Sequence, residues 1–299
     1  MSLAGVYLPV TTPFDDSGAV DYGAFRDNLN EWLNHPISGL VIAGSTGEAP
    51  LLTAEELFGL VESAAGLARG REVVVGVGAE STAAVIENTR RVADLGATAV
   101  LVRSPCYYLP AMLPGVLFDH FTVVADASPV PVLVYDIPKF VPVQMDAQLV
   151  GRLVEHPNIV GLKDSSGDLK RLAGFADACG PNGDVLVGAG SIFHGALNAG
   201  AVGGILGLGL IAARSCCDLF EAWHEGRTAE AGAIQERVGP VHRKIVGQLG
   251  IGGVKAAMDQ LGLVGGRPRP PLRPLNEAGT EVVRAVLRTA GLGAAVAVQ

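Results

Sequence analysis

The apolar run Ile159-Val160-Gly161-Leu162 ends in Lys163, which is followed by Asp164-Ser165-Ser166-Gly167-Asp168. An amine at the end of a buried strand can attack a ketone and form an imine, because apolar surroundings disfavour the protonated form of such groups in general. A purely structural lysine, paired with Asp164 or another carboxylate, is the alternative. A second run, Val132-Leu133-Val134, ends in Tyr135 and continues Asp136-Ile137-Pro138. A phenol beside an imine can carry protons, whereas a core aromatic with a satisfied hydroxyl is its structural counterpart. Gly44-Ser45-Thr46-Gly47-Glu48 offers hydroxyls and backbone N–H groups that suit a small anion such as a carboxylate, or else forms a capped turn. Tyr107 and Tyr108 sit on a loop bracketed by Pro105 and Pro110, placed to pack, to gate a pocket or to reach a neighbouring subunit. Cys106 on that loop reads as a small buried filler, since no histidine is near it in sequence.

Other chemistries lack their residue patterns. The six histidines show no His-x-x-x-His or comparable spacing, so no catalytic zinc is expected. Gly76-Val77-Gly78-Ala79-Glu80-Ser81 lacks the third glycine of a dinucleotide fingerprint. Gly188-Ala189-Gly190-Ser191 has the character of a barrel phosphate site, which keeps phosphorylated substrates open. Asp15-Asp16 and Glu55-Glu56 read as solvated faces or charges at helix N-termini.

The elements that would position these groups alternate regularly. Strands are expected at Gly5–Val10, Gly39–Ala43, Glu72–Val77, Ala99–Arg103, Val130–Tyr135, Ile159–Lys163, Asp184–Gly188 and Gly203–Leu208. Most lack polar alternation, as parallel strands covered on both faces do. Helical spacing fills Tyr22–Asn34, Ala54–Ala68, Thr82–Leu95, Leu113–Asp126, Asp146–Val154, Leu169–Ala178, Ser191–Ala199 and Ala212–Glu225. Thr53 and Ser81 are good N-caps, and Gly96, Gly180 and Gly200 fall where helices should stop. Eight strand–helix pairs close a (β/α)8 TIM barrel, expected over residues 1–226. Residues 227–299 carry helical patterns at Ala229–Leu249, Val254–Leu261 and Glu277–Ala290, with the Pro/Arg-rich stretch Gly265–Pro274 between the last two. They predict a small C-terminal all-helical domain.

Composition narrows the class further. In 299 residues, 49 % are hydrophobic and 17 % charged, which excludes a disordered chain. A net charge of −8 argues against a nucleic-acid partner. No run of about 18 apolar residues appears, so no membrane span is expected. The first residues do not read as a signal peptide, and four scattered cysteines suit neither a disulfide framework nor a zinc knuckle. A reducing, cytoplasmic location is the expectation.

Taken in order, the motifs resemble the dihydrodipicolinate synthase/N-acetylneuraminate lyase family of Schiff-base-forming class I aldolases. The likeness runs through Pro9–Phe14, Gly44–Glu48, Tyr107-Tyr108, Tyr135–Pro138, Gly161–Asp168, Val254-Lys255 and Gly262–Pro274. It implies that Lys163 forms an imine with a 2-oxo acid, usually pyruvate, without a cofactor or metal. It implies that Tyr135 relays protons, that Thr46 connects it to Tyr107, and that Ser45 and Thr46, with Gly47 in the same cradle, hold the carboxylate. In such proteins Tyr107 reaches across a tight-dimer contact, and the usual assembly is a homotetramer, a dimer of dimers. Gly188 and Ile205 fall where the pocket wall is commonly lined.

One departure bears on the second substrate. Dihydrodipicolinate synthases usually carry Arg two residues after the Pro of Tyr-x-x-Pro, and here that position is Phe140, with Lys139 beside it. Replacing a guanidinium by a phenyl ring removes a charge-assisted contact worth roughly 1.5–3 kcal/mol. The Pro-Cys-Tyr-Tyr loop and Ala189-Gly190-Ser191 look closer to aldolases of 4-hydroxy-2-oxoglutarate and 2-keto-3-deoxy sugar acids. A pyruvate-dependent lyase of that kind, taking or releasing an aldehyde, is therefore the expected activity. The alternatives are a 4-hydroxy-tetrahydrodipicolinate synthase using aspartate semialdehyde, or a non-catalytic relative that binds a 2-oxo acid.

Overall fold

The computed structural model describes residues 3–143 and 145–293. Eight parallel strands pair in sequence order and close into a barrel, β8 bonding back to β1. They are β1 (Gly5–Pro9), β2 (Gly39–Ile42), β3 (Glu72–Gly76), β4 (Ala99–Arg103), β5 (Val132–Asp136), β6 (Ile159–Asp164), β7 (Asp184–Val187) and β8 (Gly203–Ile205). The outer ring is α1 (Tyr22–Trp32), α2 (Ala54–Leu67), α3 (Thr82–Asp94), α4 (Pro114–Ala127), α5 (Ala147–Leu153), α6 (Leu169–Cys179), α7 (Phe193–Asn198) and α8 (Gly209–His224). The TIM barrel expected from the alternation is thus present, and every residue of β5 is buried, as a strand covered on both faces requires.

Local chemistry explains the boundaries. Thr53 and Glu56 form a capping box at the start of α2, and the Ser81 hydroxyl accepts from the Ala84 N–H at the start of α3. Gly96, Gly180 and Gly200 all take positive φ where α3, α6 and α7 end. Several strands stop earlier than their apolar runs: β8 ends at Ile205 rather than Leu208, because Leu206 to Leu208 turn directly into α8. β5 and β6 instead run one residue further, to Asp136 and Asp164, which pair in register.

After Gly226 the chain is helical: α9 (Thr228–Val241), a π-helical segment (His242–Gln248), α10 (Gly250–Gln260) and α11 (Glu277–Thr289). The single helix expected over Ala229–Leu249 is therefore divided. Pro240 has no N–H to donate and its ring crowds the preceding turn, so the ladder widens to i→i+5 just beyond it. The Pro/Arg-rich stretch is no loose linker, because the Gly265 N–H donates to Asp259 at 2.7 Å and the Arg269 N–H donates to Glu48 at 2.8 Å. No helix among the described residues is long and apolar enough to cross a membrane.

Candidate active site

Lys163 and Tyr135 face each other because β5 and β6 are parallel neighbours in which these two residues are register partners. Side chains alternate along a strand, so both point to the same side, into the C-terminal mouth of the barrel. Lys163 is 4 % exposed and Tyr135 6 %, and the Lys163 Nζ sits 4.1 Å from the centroid of the Tyr135 ring. Among the described residues Lys163 makes no ion pair and no side-chain hydrogen bond. Pairing with Asp164 is excluded by the same alternation, which turns Asp136 and Asp164 to the opposite face. Asp136 there accepts from Arg171 of α6 at 2.7 Å, and Asp164 accepts from the Ser166 N–H and hydroxyl at 3.0 and 2.8 Å. Burial raises the pKa of both carboxyls, with Arg171 and Ser166 acting against it.

The Gly44–Glu48 turn stands beside this pair. It is bracketed by two non-glycine residues in the left-handed region, Ala43 (φ 51°) and Glu48 (φ 60°). Gly76 of β3 makes the first of these possible, since a Cβ there would lie 2.1 Å from the Ala43 carbonyl oxygen. Inside the turn, Gly47 N–H and Glu48 N–H donate to Gly44 and Ser45 carbonyls, while the N–H groups of Ser45 and Thr46 have no protein acceptor among the described residues. Two N–H groups free among the described residues thus stand next to two half-buried hydroxyls, a set of donors suited to a small anion. Gly47 does not line the cavity. Its carbonyl accepts from Thr12 Oγ1 at 2.7 Å, and a Cβ on it would come within 2.9 Å of the Val10 oxygen, so its role is to let the turn pack.

The turn is fastened from behind by the C-terminal helices. Lys255 Nζ reaches Glu48 Oε1 at 2.6 Å and also donates to the carbonyls of Thr12 and Arg267 at 2.8 and 3.0 Å. Glu48 Oε2 accepts from the Arg269 N–H, and the Arg269 guanidinium pairs with both oxygens of Glu56. That guanidinium holds the Glu56 carboxyl below the usual range. Sequence alone singled out Glu48, Lys255 and the 265–274 stretch without linking them.

Lys163, Tyr135, Ser45, Thr46, Gly188, Ile205 and Phe140 all border one cavity of about 160 Å³. Gly188 is required there, because a Cβ would meet Ser165 Oγ at 2.0 Å. Phe140 is 58 % exposed at the rim, and the neighbouring Lys139 Nζ is tied to the Gly247 carbonyl at 2.9 Å. Larger hollows exist elsewhere, such as one of about 700 Å³ between the Leu109–Pro114 segment and α6, but no lysine–tyrosine pair lines it. Two polar wall residues, besides several apolar ones and glycines, were not foreseen. Ser165 lies two positions beyond Lys163, so the strand period could have found it. His242 arrives on the π-helical segment, far away in sequence, and nothing local signals it.

Tyr107 does not join this group within one chain. It is 78 % exposed, its ring packs edge-on against Tyr108 at 5.1 Å, and its N–H donates to Glu80 at 2.8 Å. The Thr46 and Tyr135 hydroxyls make no hydrogen bond among the described residues, so the expected Tyr135–Thr46–Tyr107 chain is not formed by a single copy. Cys106 is half-buried, not the fully buried filler expected, and burial together with Glu80 raises its thiol pKa, which weakens it as a nucleophile.

Beyond this grouping of an amine unpaired among the described residues, a phenol and free backbone donors, the sequence matches the dihydrodipicolinate synthetase family over residues 2–290. The chain belongs to that family. Its relatives include 4-hydroxy-tetrahydrodipicolinate synthases from Gluconacetobacter diazotrophicus, 36 % identical with 96 % of this chain and 97 % of that one covered, and from Roseobacter denitrificans, 36 % identical over 95 % and 97 %. Among solved structures, the 4-hydroxy-tetrahydrodipicolinate synthase of Methylacidiphilum fumariolicum superposes with a TM-score of 0.92 at 30 % identity, covering 97 % of this chain and 96 % of that one. A dihydrodipicolinate synthase from Acinetobacter baumannii, solved with pyruvate, gives 0.92 at 28 % identity over 97 % and 100 %. As a member of this family the chain is an aldolase-type lyase, and the C-terminal helices belong to the shared fold.

Proposed function

We propose that this chain condenses or cleaves carbon–carbon bonds through an imine between Lys163 and pyruvate or another 2-oxo acid. The observation that carries the reading is the buried Lys163 amine, unpaired among the described residues and set against Tyr135 in the cavity that also holds Ser45 and Thr46. The pyruvate carboxylate accepts from the free N–H groups and hydroxyls of Ser45 and Thr46. The unprotonated amine adds to the C2 carbonyl, the Tyr135 phenol donates a proton to the departing hydroxyl, and water leaves to give the imine. The Tyr135 phenolate so formed takes a C3 proton from the protonated imine to give the enamine, which attacks an aldehyde carbon; Tyr135 returns the proton to the resulting alkoxide, and water hydrolyses the iminium to free the amine. The pyruvate complex of the Acinetobacter baumannii relative supports the choice of keto acid. An exposed Tyr107 beside Tyr108 supports a second copy completing the proton path, in a homotetramer built as a dimer of dimers.

The names of the relatives support aspartate semialdehyde as the aldehyde, which makes the chain a 4-hydroxy-tetrahydrodipicolinate synthase. Phe140 favours a second reading, in which the partner is a less acidic aldehyde and the substrate a 2-keto-3-deoxy acid or 4-hydroxy-2-oxoglutarate. Incubation with pyruvate, reduction with borohydride and weighing of the protein tests the imine. An adduct on Lys163 is expected, and no adduct, or one that persists in Lys163→Ala, ends the proposal. Parallel assays with aspartate semialdehyde and with 2-keto-3-deoxy acids then separate the two readings by kcat/KM.

A further inference from the structure

We infer that His242 is a specificity-determining residue, whose imidazole hydrogen-bonds a hydroxyl or carbonyl oxygen on the second substrate. The inference rests on the Schiff-base reading above and deepens it. His242 borders the cavity shared by Lys163, Tyr135 and Phe140, and it comes from the C-terminal helices rather than from a barrel loop. Its Nδ1 is buried with no hydrogen-bond partner, and neither ring nitrogen is bonded to protein among the described residues. Other histidines here are used differently. His120 meets Thr82 at 2.8 Å, His156 meets Asp126 and the Asn158 N–H, and His194 meets Asn198 at 3.3 Å. Nδ1 is enclosed beside Gly190, so Nε2, which is neither enclosed nor bonded to protein among the described residues, is the atom a ligand in the cavity would complete.

The surroundings are shaped for this ring. Gly190, in the turn after β7, gives it room, since a Cβ there would lie 3.1 Å from His242 Nδ1. The Gly190 carbonyl is already taken by Gln235 Nε2 at 3.1 Å and is not available to the histidine. Burial, with the cations Arg243 and Lys139 adding to it, pushes the His242 pKa down to about 4. At neutral pH the ring therefore offers one donor and one acceptor and no charge. Through one open nitrogen the neutral ring either donates or accepts, and a hydroxyl, such as that of a hydroxyaldehyde or an aldehyde hydrate, answers either role, whereas a carboxylate answers only a donor. Lys139 also borders the cavity, and one of its protons is held by the Gly247 carbonyl. Phe140 supplies an apolar rim next to it.

The test compares His242→Leu and His242→Asn with the wild type in two assays: borohydride trapping with pyruvate alone, and steady-state turnover of pyruvate with D-glyceraldehyde and with aspartate semialdehyde. His242→Leu is expected to trap pyruvate at the wild-type rate and to raise KM for the aldehyde about tenfold. His242→Asn, which keeps a donor and an acceptor, is expected to recover most of that loss, which a merely structural role would not produce. Normal trapping with an unchanged aldehyde KM in His242→Leu overturns the inference alone, as does an equal KM defect in both variants. No adduct in the wild type instead overturns the Schiff-base reading, and this inference with it.

Discussion

Lys163 and Lys255 are both buried, 4 % and 1 % exposed, and each Nζ lies over an aromatic ring, Tyr135 at 4.1 Å and Phe14 at 4.6 Å. Beyond the ring they diverge. Lys255 has Glu48 and two carbonyls within 3.0 Å, whereas Lys163 has no ion pair or side-chain hydrogen bond among the described residues. Burial lowers the Lys255 pKa and the Glu48 carboxylate opposes that shift. A buried amine whose protons are all taken serves the architecture, here by fixing the turn that carries Ser45 and Thr46. An amine left with only an aromatic face has no protein partner that a bound ligand would need to displace. Burial alone therefore does not separate the two lysines, whereas their partners do, and the one without partners is the one proposed to react.

Exchanging the roles of the two lysines should break the contrast most visibly. Lys163→Ala should abolish the pyruvate adduct and cut turnover by about 10^4-fold or more, with little change in melting temperature. A melting temperature that collapses along with activity would assign Lys163 to the architecture instead. Lys255→Met should destabilise the fold by about 3–5 kcal/mol in urea unfolding, because Glu48 is left as a buried charge without its cation. Replacing Glu48 by Leu in the same chain should recover part of that loss, and a double variant no better than the single one would refute the account.

Tyr135→Phe keeps the ring over Lys163 and removes the hydroxyl proposed to carry protons. We expect kcat to fall by about 10^2- to 10^3-fold while pyruvate affinity changes little, and equal losses in both would contradict a relay. Acid should weaken the fold through His242. The unfolded ring takes a proton below its usual pKa of about 6.5, whereas the folded ring stays neutral down to about 4. The unfolded state therefore binds more protons in that window, and stability present above pH 6.5 is lost as pH falls to 4, roughly 2 kcal/mol by pH 4.5. Chemical denaturation at pH 7 and pH 4.5 should find a smaller difference in His242→Leu than in the wild type, and identical differences would dispose of the assignment. Last, Phe140→Arg should raise kcat/KM for aspartate semialdehyde about tenfold by restoring a charged contact, without altering pyruvate trapping. An unchanged value would remove Phe140 from the second-substrate wall.

What the sequence determined was local and periodic. Unbroken apolar runs punctuated by Thr53, Ser81, Gly96 and Gly200 specify strands, caps and stops, because these depend on neighbours within a turn or two. Eight such units imply a barrel, and the strand-end rule then places Lys163, Tyr135, Ser45 and Thr46 around one mouth. Tertiary structure decided everything that joins distant segments. It made Gly47 a packing residue, left Tyr107 outside a single chain's cavity, opened a π-helical segment beyond Pro240, and set His242 into the wall. It also brought Glu48, Lys255 and Arg269 together across more than two hundred positions of chain. The reason is physical: periodicity records which face of an element is buried, but the identity of what covers that face depends on how the whole chain closes, and no local pattern encodes it.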